Sequence, residues 1–206
     1  PGTVLYCRFV DDIVVVFARP PAGVSLGSYK DRIIAIFGDN ALPHNAAKTF
    51  EVASADPSPK DFEYLGYSFS LMDGKIEIGP STAKVSKYRM RMKAAFDAYW
   101  QERPISPRIA YRELVGRIKF LTGNTRLSNS KSQAAIGIYF NNPVANDLSN
   151  FGQLDKELKV LIGTLKSTSL QKQLKKLKFT TGFVQRRYHN FSTRELQMIV
   201  RAWKHG

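Results

Sequence analysis

The chain has 206 residues, of which 43% are hydrophobic, so it is long enough to bury a core in one or two domains. It carries 31 Lys and Arg against 17 Asp and Glu, which gives a net charge of +14. The single cysteine, Cys7, excludes a framework of intrachain disulfides, and no apolar run has the length of a membrane-spanning helix. We therefore expect a cytoplasmic protein with an anionic partner and no membrane.

The charge is divided unevenly along the chain. Residues 1–79 hold 7 Lys and Arg and 10 Asp and Glu, a net of −3, whereas residues 80–206 hold 24 and 7, a net of +17. A basic surface kept for solubility explains this asymmetry poorly. An acidic segment followed by a basic one suits metal binding beside the binding of a nucleic-acid backbone.

Two adjacent aspartates, Asp11 and Asp12, stand between two apolar runs. Residues 3–8 and 13–17 are rich in β-branched and aromatic side chains, which predicts two strands joined by a tight hairpin. The two carboxylates repel each other unless they are solvated, protonated or bound to cations. Hard divalent metals such as Mg²⁺ prefer carboxylate oxygens, and a pair of such ions serves phosphoryl transfer. The alternative is ordinary turn chemistry, because aspartate favours bends.

The rest of residues 1–79 predicts a β-β-α-β-β-β order, with one antiparallel sheet and a helix on one face. The helix and strand signals are apolar spacing, turn residues and caps. In chain order, the predicted elements are a helix over 25–38 with Gly38 as its C-cap, a loop and strand over 45–52, a strand over 64–72, a type I′ turn at Asp73 and Gly74, and a strand over 75–78.

Beyond Pro80 the sequence predicts a mainly helical region, and the whole chain is therefore an α+β protein. Residues 124–150 are rich in Asn and Ser and give no clear element. Ser192 and Glu195 have the spacing of a capping box. The predicted helices cover residues 81–102, 107–123, 151–165, 170–178 and 192–204.

Three short motifs occur in order within the first 67 residues: Phe9 to Asp12, Asn45 to Thr49, and Leu65 to Tyr67. Each is weak alone, but the ordered set resembles the second half of a reverse transcriptase palm. It corresponds to the aromatic-x-Asp-Asp motif, the Asn-x-x-Lys-Thr segment and the Leu-Gly-Tyr primer grip. The resemblance covers residues 3–80 well and the helical region loosely.

The resemblance implies a role for each motif. Asp11 would be the metal ligand proper and Asp12 a supporting carboxylate, with Phe9 where many members of the family carry Tyr. Lys48 would approach the nucleotide phosphates and protonate the leaving pyrophosphate, roles for which an ammonium is suited. Leu65, Gly66 and Tyr67 would form the primer grip. The alternatives are a solvated loop lysine and an ordinary strand glycine. Asn45 is expected to shape its turn.

The same resemblance implies parts that lie upstream of residue 1. Reverse transcriptases hold two Mg²⁺ ions with a further carboxylate from an earlier strand, and they bind template and nucleotide with fingers. The other acidic residues of the first segment are predicted in turns or on a helix and offer no substitute; they include Asp31, Asp39, Asp56, Asp61 and Asp73. We interpret residues 1–79 as the end of a palm and 80–206 as a helical thumb and C-terminal region. A partner chain could supply the rest, and the chain alone is predicted to be inactive.

The basic part of the chain suggests how nucleic acid is held. Lys84, Lys87 and Arg91 would contact phosphates of a primer–template duplex without reading sequence, or they would form a solvated face. Residues 183–189 interleave aromatic and basic types, for which core packing of the aromatics is the favoured interpretation.

The predicted function is RNA-directed DNA synthesis from an RNA template, a DNA primer and deoxynucleotides. Residues 118–127 and 137–142 look similar to segments of bacterial antiviral defence-associated reverse transcriptases. The alternative is a non-catalytic nucleic-acid-binding or maturase-like module.

Overall fold

The computed structural model describes residues 2–18, 21–53, 60–72, 74–127 and 134–203, and it is a mixed α+β protein. The strands are β1 (Thr3–Phe9), β2 (Asp12–Phe17), β3 (Lys60–Tyr64), β4 (Tyr67–Met72), β5 (Lys75–Pro80), β6 (Asn124–Arg126) and β7 (Ala135–Gly137). The helices are α1 (Leu26–Asp39), α2 (Thr82–Glu102), α3 (Pro107–Thr122), α4 (Ser149–Gly163), α5 (Thr168–Leu174), α6 (Phe179–Val184) and α7 (Thr193–Arg201). Among these helices none is both long enough and apolar enough to cross a membrane.

The chain divides into two compact units. The first unit consists of residues 1–65 and 69–76, and the second of residues 66–68 and 77–206. The prediction of one antiparallel sheet in the first 79 residues is wrong, because the described strands form separate sheets. β1 pairs with β2, β3 to β5 form a second sheet in chain order, and β6 pairs with β7.

The strand predicted after a loop within residues 45–52 is also wrong. Residues 46–48 form a short 3₁₀ helix, and the third strand, β3, comes later in the chain. The Asn45 side chain accepts a hydrogen bond from the Ala47 backbone N–H at 3.1 Å, and the Thr49 hydroxyl donates to the Asn45 carbonyl at 2.8 Å. These local bonds compete with strand pairing. The prediction that Asn45 shapes its turn is confirmed.

Helix α1 forms as predicted but ends differently. Ser25 caps its first turn, whereas Gly38 lies inside the helix and Asn40 is the C-cap. Ala41 follows in the left-handed region with φ 52° and donates its backbone N–H to the Gly38 carbonyl. The Leu42 N–H donates to the Phe37 carbonyl at 2.8 Å, so the helix ends in a Schellman motif with alanine in the usual glycine position.

The first unit buries little apolar surface. Tyr29 is the one described apolar side chain of this unit that is buried, and its ring stacks on Phe17 with centroids 4.8 Å apart. Phe62 and Phe69 stack in parallel at 4.9 Å. Every residue of β1 is exposed. This hairpin is therefore held mainly by its own strand pairing.

The second unit contains the large core. Ser81, where the first predicted helix of this region begins, caps α2, and α3 begins with Pro107 at its first position. Helix α2 packs on α3 and α4, and α3 also contacts α5, α6 and α7. Helix α6 was not predicted, whereas the capping box of Ser192 and Glu195 on α7 is confirmed. The largest fully buried side chains of this core include Met92, Phe96, Leu114, Ile118, Phe151, Leu154, Leu158 and Phe179.

Asn124 joins three segments of the second unit that are distant in sequence. Its side-chain amide donates to the Arg187 carbonyl at 3.1 Å and accepts from the Tyr139 N–H at 2.9 Å. Its own carbonyl accepts from the His189 N–H at 2.8 Å. Asn124 is 2% exposed, so a single buried amide links Tyr139 and Arg187, which lie far apart in the sequence.

Candidate active site

The Asp11 and Asp12 motif lies at the tip of a two-residue hairpin, as predicted. Phe9 pairs with Asp12, so Val10 and Asp11 are the loop residues. Val10 has φ 54°, an unusual value for a β-branched side chain. The Arg8 Nε donates to the Val10 carbonyl at 2.9 Å and supports this conformation. A strained backbone next to two carboxylates is typical of functional sites.

The two carboxylates are open to a ligand. Asp11 and Asp12 are exposed, and in the part of the chain that the structure describes neither forms a hydrogen bond or an ion pair. Their oxygens are hard donors, which fit Mg²⁺. The described residues contain no group of three or more His, Cys, Asp or Glu arranged to hold a metal. Asp11 and Asp12 alone therefore do not make up such a group.

Tyr64 is a site residue that the sequence reasoning left without a role. The Tyr64 hydroxyl donates to Cys7 Sγ at 3.9 Å, which brings the end of β3 to the hairpin of β1 and β2 within the first unit. Burial, the Cys7 thiol and the Asp12 carboxylate together raise the pKa of Tyr64. Tyr64 is therefore a neutral hydroxyl near Asp12. The sequence signal that could have identified Tyr64 was its position directly before Leu65, the first residue of the predicted primer grip.

Lys48 forms no bond to the residues of the Asp11 and Asp12 hairpin in the part of the chain that the structure describes. It is the last residue of the 3₁₀ helix and is exposed. Across the described residues its ammonium forms no ion pair, so neither Asp11 nor Asp12 holds it. Its phosphate-binding role remains a prediction.

Leu65 and Gly66 form a turn, so the continuous strand predicted over residues 64–72 is wrong. β3 ends at Tyr64 and β4 begins at Tyr67. Leu65 has φ 48° and Gly66 has φ 76°, the pattern of a type I′ hairpin, which allows only two loop residues. The turn at Asp73 lies outside the described residues, although Gly74 has φ 72°.

Gly66 and Tyr67 contact Lys84 within the second unit. The Lys84 Nζ lies 4.2 Å from the Tyr67 ring centroid and donates to the Asn141 carbonyl at 3.0 Å. A Cβ on Gly66 would lie 2.9 Å from the Lys84 Cε, so glycine makes room for this side chain. Burial lowers the pKa of Lys84. These contacts hold Lys84 in a structural role, and its phosphate contact remains a prediction.

The other predicted nucleic-acid-binding residues of α2 differ in their surroundings. Lys87 is exposed, whereas the Arg91 guanidinium lies 5.3 Å from the Trp203 ring centroid and the Arg91 carbonyl accepts from the Trp203 indole N–H at 3.0 Å. The core interpretation of the 183–189 aromatics is confirmed for Phe183, which is buried. It is wrong for Tyr188, which is 41% exposed.

Comparison of the chain with protein-family models, with curated proteins and with solved structures gives no match. The resemblance to reverse transcriptases therefore depends on the three ordered sequence motifs alone.

Proposed function

We propose that this chain is the C-terminal portion of a reverse transcriptase, which carries out RNA-directed DNA synthesis in the cytoplasm by nucleotidyl transfer. The observation that carries the proposal is the hairpin between β1 and β2. It presents Asp11 and Asp12 without protein partners among the described residues, beside a strained Val10. Carboxylates free of competing cations are available for metal ions.

Each residue of the hairpin has a distinct task in the proposed reaction. Asp11, inside the turn, would hold Mg²⁺, which would favour ionisation of the primer 3′ hydroxyl and offset negative charge on the triphosphate. Asp12 adds negative charge nearby, next to the neutral hydroxyl of Tyr64. A further carboxylate and the fingers come from outside the described residues in this proposal.

The basic second unit holds the template and primer in this proposal. Residues 80–206 have a net charge of +17, and Lys87 is exposed on α2. Cations of this kind bind phosphates without reading the bases. Lys48 is exposed at the end of its 3₁₀ helix, and in this proposal its ammonium contacts the phosphates of the incoming deoxynucleotide.

The deciding experiment is Asp11→Asn in the complete polymerase. The substitution keeps the side-chain shape but removes one negative charge from the metal site. We expect nucleotide incorporation to fall by several orders of magnitude, whereas binding of primer–template should change little because phosphate contacts lie elsewhere. Asp12→Asn should reduce incorporation less. The measurement is single-nucleotide extension at several Mg²⁺ concentrations.

The matched control is Asp31→Asn, which changes an exposed aspartate on α1 in the same unit. Its incorporation should equal that of the wild type. If Asp11→Asn also retained near-normal incorporation, the catalytic assignment of the hairpin would be wrong.

The second candidate function is a non-catalytic nucleic-acid-binding module. It is favoured by the +17 charge of residues 80–206. In that case the complete protein would bind nucleic acid and extend no primer under any Mg²⁺ concentration, with or without the substitution at Asp11.

A further inference from the structure

An exposed aromatic cluster lies on the second unit, far along the chain from the catalytic hairpin. Phe140 and Tyr188 are 36% and 41% exposed, and their ring centroids are 5.8 Å apart. Tyr139 meets Phe140 edge to face at 5.3 Å and leads inward to the buried Phe183 at 5.5 Å. The exposed rings therefore pack against further aromatic rings that lie deeper in the unit. We call Phe140 and Tyr188 with Tyr139, Arg126 and Arg186 the aromatic–arginine cluster.

Two arginines flank the rings of this cluster. The Arg186 guanidinium carbon lies 4.2 Å from the Tyr139 ring centroid, and that of Arg126 lies 5.7 Å from the Tyr188 centroid. Among the described residues, neither arginine pairs with a carboxylate. Arg186 has φ 48°, a strained value for a non-glycine residue. Cationic groups beside exposed rings suit a ligand that has both negative charge and flat faces.

The cluster is held rigid by the buried Asn124. Its backbone bridges to Tyr188, and its side-chain oxygen accepts from the Tyr139 N–H at 2.9 Å. The segments that carry the two exposed rings are thus fixed to the same residue. Rings that are ordered before binding lose little conformational entropy when a ligand arrives.

We propose that the aromatic–arginine cluster binds unpaired nucleobases of a single-stranded nucleic acid, by stacking on Tyr188 and Phe140 while Arg126 and Arg186 contact the phosphates. The inference rests on the proposed nucleic-acid binding and adds a base-stacking contact to it. Net charge supports this occupant over an apolar protein surface, because residues 80–206 carry +17. A duplex offers no base faces along its length, so the preferred ligand is an unpaired strand.

The test compares two single strands of about 12 nucleotides, within the range of ~4–16 that such sites cover. One carries all its bases, and the other has the same phosphates with abasic sites at the internal positions. Fluorescence anisotropy with the full chain measures both affinities at one fixed salt concentration. We expect the strand with bases to bind about tenfold more tightly or better. Matched DNA and RNA strands show whether the sugar matters.

Variants assign the preference to the two rings. Tyr188→Leu and Phe140→Leu should each weaken binding of the strand with bases by about 5-fold or more and leave binding of the abasic strand unchanged. Tyr188→Phe keeps the ring and should bind as the wild type does. The control is Val160→Ala, at a 71% exposed position on α4. Far-UV circular dichroism checks that each variant is folded.

Equal affinity of the wild-type chain for the two strands would overturn the stacking proposal and leave phosphate binding intact. That comparison needs no variant and so does not depend on how the variants fold. If the chain bound neither strand, the nucleic-acid binding in the proposed function would be wrong as well.

Discussion

The two units of the chain differ in how they treat their apolar side chains. In the second unit, Phe151, Leu154 and Phe179 are 0% exposed and belong to one continuous core. In the first unit, Val4 and Tyr6 of β1 are 68% and 58% exposed. The helical unit therefore has a large hydrophobic driving force of its own, whereas the hairpin with the candidate metal ligands has little.

Because of this difference, the residues that stabilise the fold and the residues proposed for the reaction lie in different units. The residues that carry the proposed reaction lie where packing contributes least, and the residues that fix the fold lie among helices with no proposed catalytic role. Exposed apolar side chains in a contiguous strand often mark a surface that contacts another polypeptide. Substitutions should therefore affect folding mainly in one unit and activity mainly in the other.

The largest expected effect on stability is that of Phe151→Ala. Truncation of this buried ring removes apolar contacts and leaves a cavity, so the free energy of unfolding of the second unit should fall by about 3–5 kcal/mol. The measurement is urea unfolding followed by helical circular dichroism. Val4→Ala, at an exposed position of β1, should change the free energy of unfolding by less than about 0.5 kcal/mol. Equal losses for both variants would contradict the comparison.

The charge contrast between the units predicts a smaller effect, on binding. Lys87→Gln should weaken binding of an oligonucleotide about threefold at ~0.1 M salt and lower the slope of log affinity against log salt by about 1, because one phosphate contact is lost. Lys75→Gln is the matched control, at an exposed position of β5 in the first unit. An identical slope for wild type and Lys87→Gln would show that Lys87 contacts no phosphate.

The type I′ turn offers a way to strengthen the weaker region. Leu65 has φ 48°, a conformation that costs an ordinary residue ~1–2 kcal/mol. Leu65→Asn creates the Asn-Gly pair favoured in such turns and should stabilise the hairpin of β3 and β4 by about 1 kcal/mol. Hydrogen exchange of the β3 and β4 amides measures the change. A destabilised hairpin would mean that the Leu65 side chain has contacts worth more than the strain.

The smallest expected effect concerns pH and the second unit. His189 Nε2 is buried with no hydrogen-bond partner among the described residues, and burial, Lys119 and Arg187 lower the pKa of His189 below 6.5. The unfolded chain therefore takes up a proton first as pH falls, so the unit should lose stability below about pH 6.5 and not above it. Thermal melts between pH 7.5 and 5 measure this.

His189→Gln is the control for that pH dependence. The variant has no titrating group at this position, so its melting temperature should change less across the same interval. An unchanged profile would assign the dependence to other groups.

Local signals predicted the helices well. The N-caps Ser81 and Ser192 each accept a backbone hydrogen bond at the start of a predicted helix, because the spacing of a cap and the apolar residues that follow is a property of adjacent sequence. The Asp11 and Asp12 hairpin was predictable for the same reason: two β-branched runs flank a short polar turn.

Signals that depend on competition or on distant contacts were missed. The strand predicted after Asn45 does not form, because the short-range bonds of Asn45 compete with strand pairing. The end of β3 at Tyr64 was also missed, because leucine rarely takes the left-handed conformation that residue 65 has in the turn. The approach of Tyr64 to Cys7, 57 residues earlier in the chain, has no signature in the residues around either one.

The junction at Asn124 has a consequence for the order in which the chain folds. The turn between α2 and α3 joins neighbouring segments, so this helical pair can form early. The bond from Asn124 to the Arg187 carbonyl instead spans 63 residues, and its formation requires closure of a long loop. The segments around Tyr139 and Tyr188 should therefore reach their final positions late in folding, after the helices between them have formed.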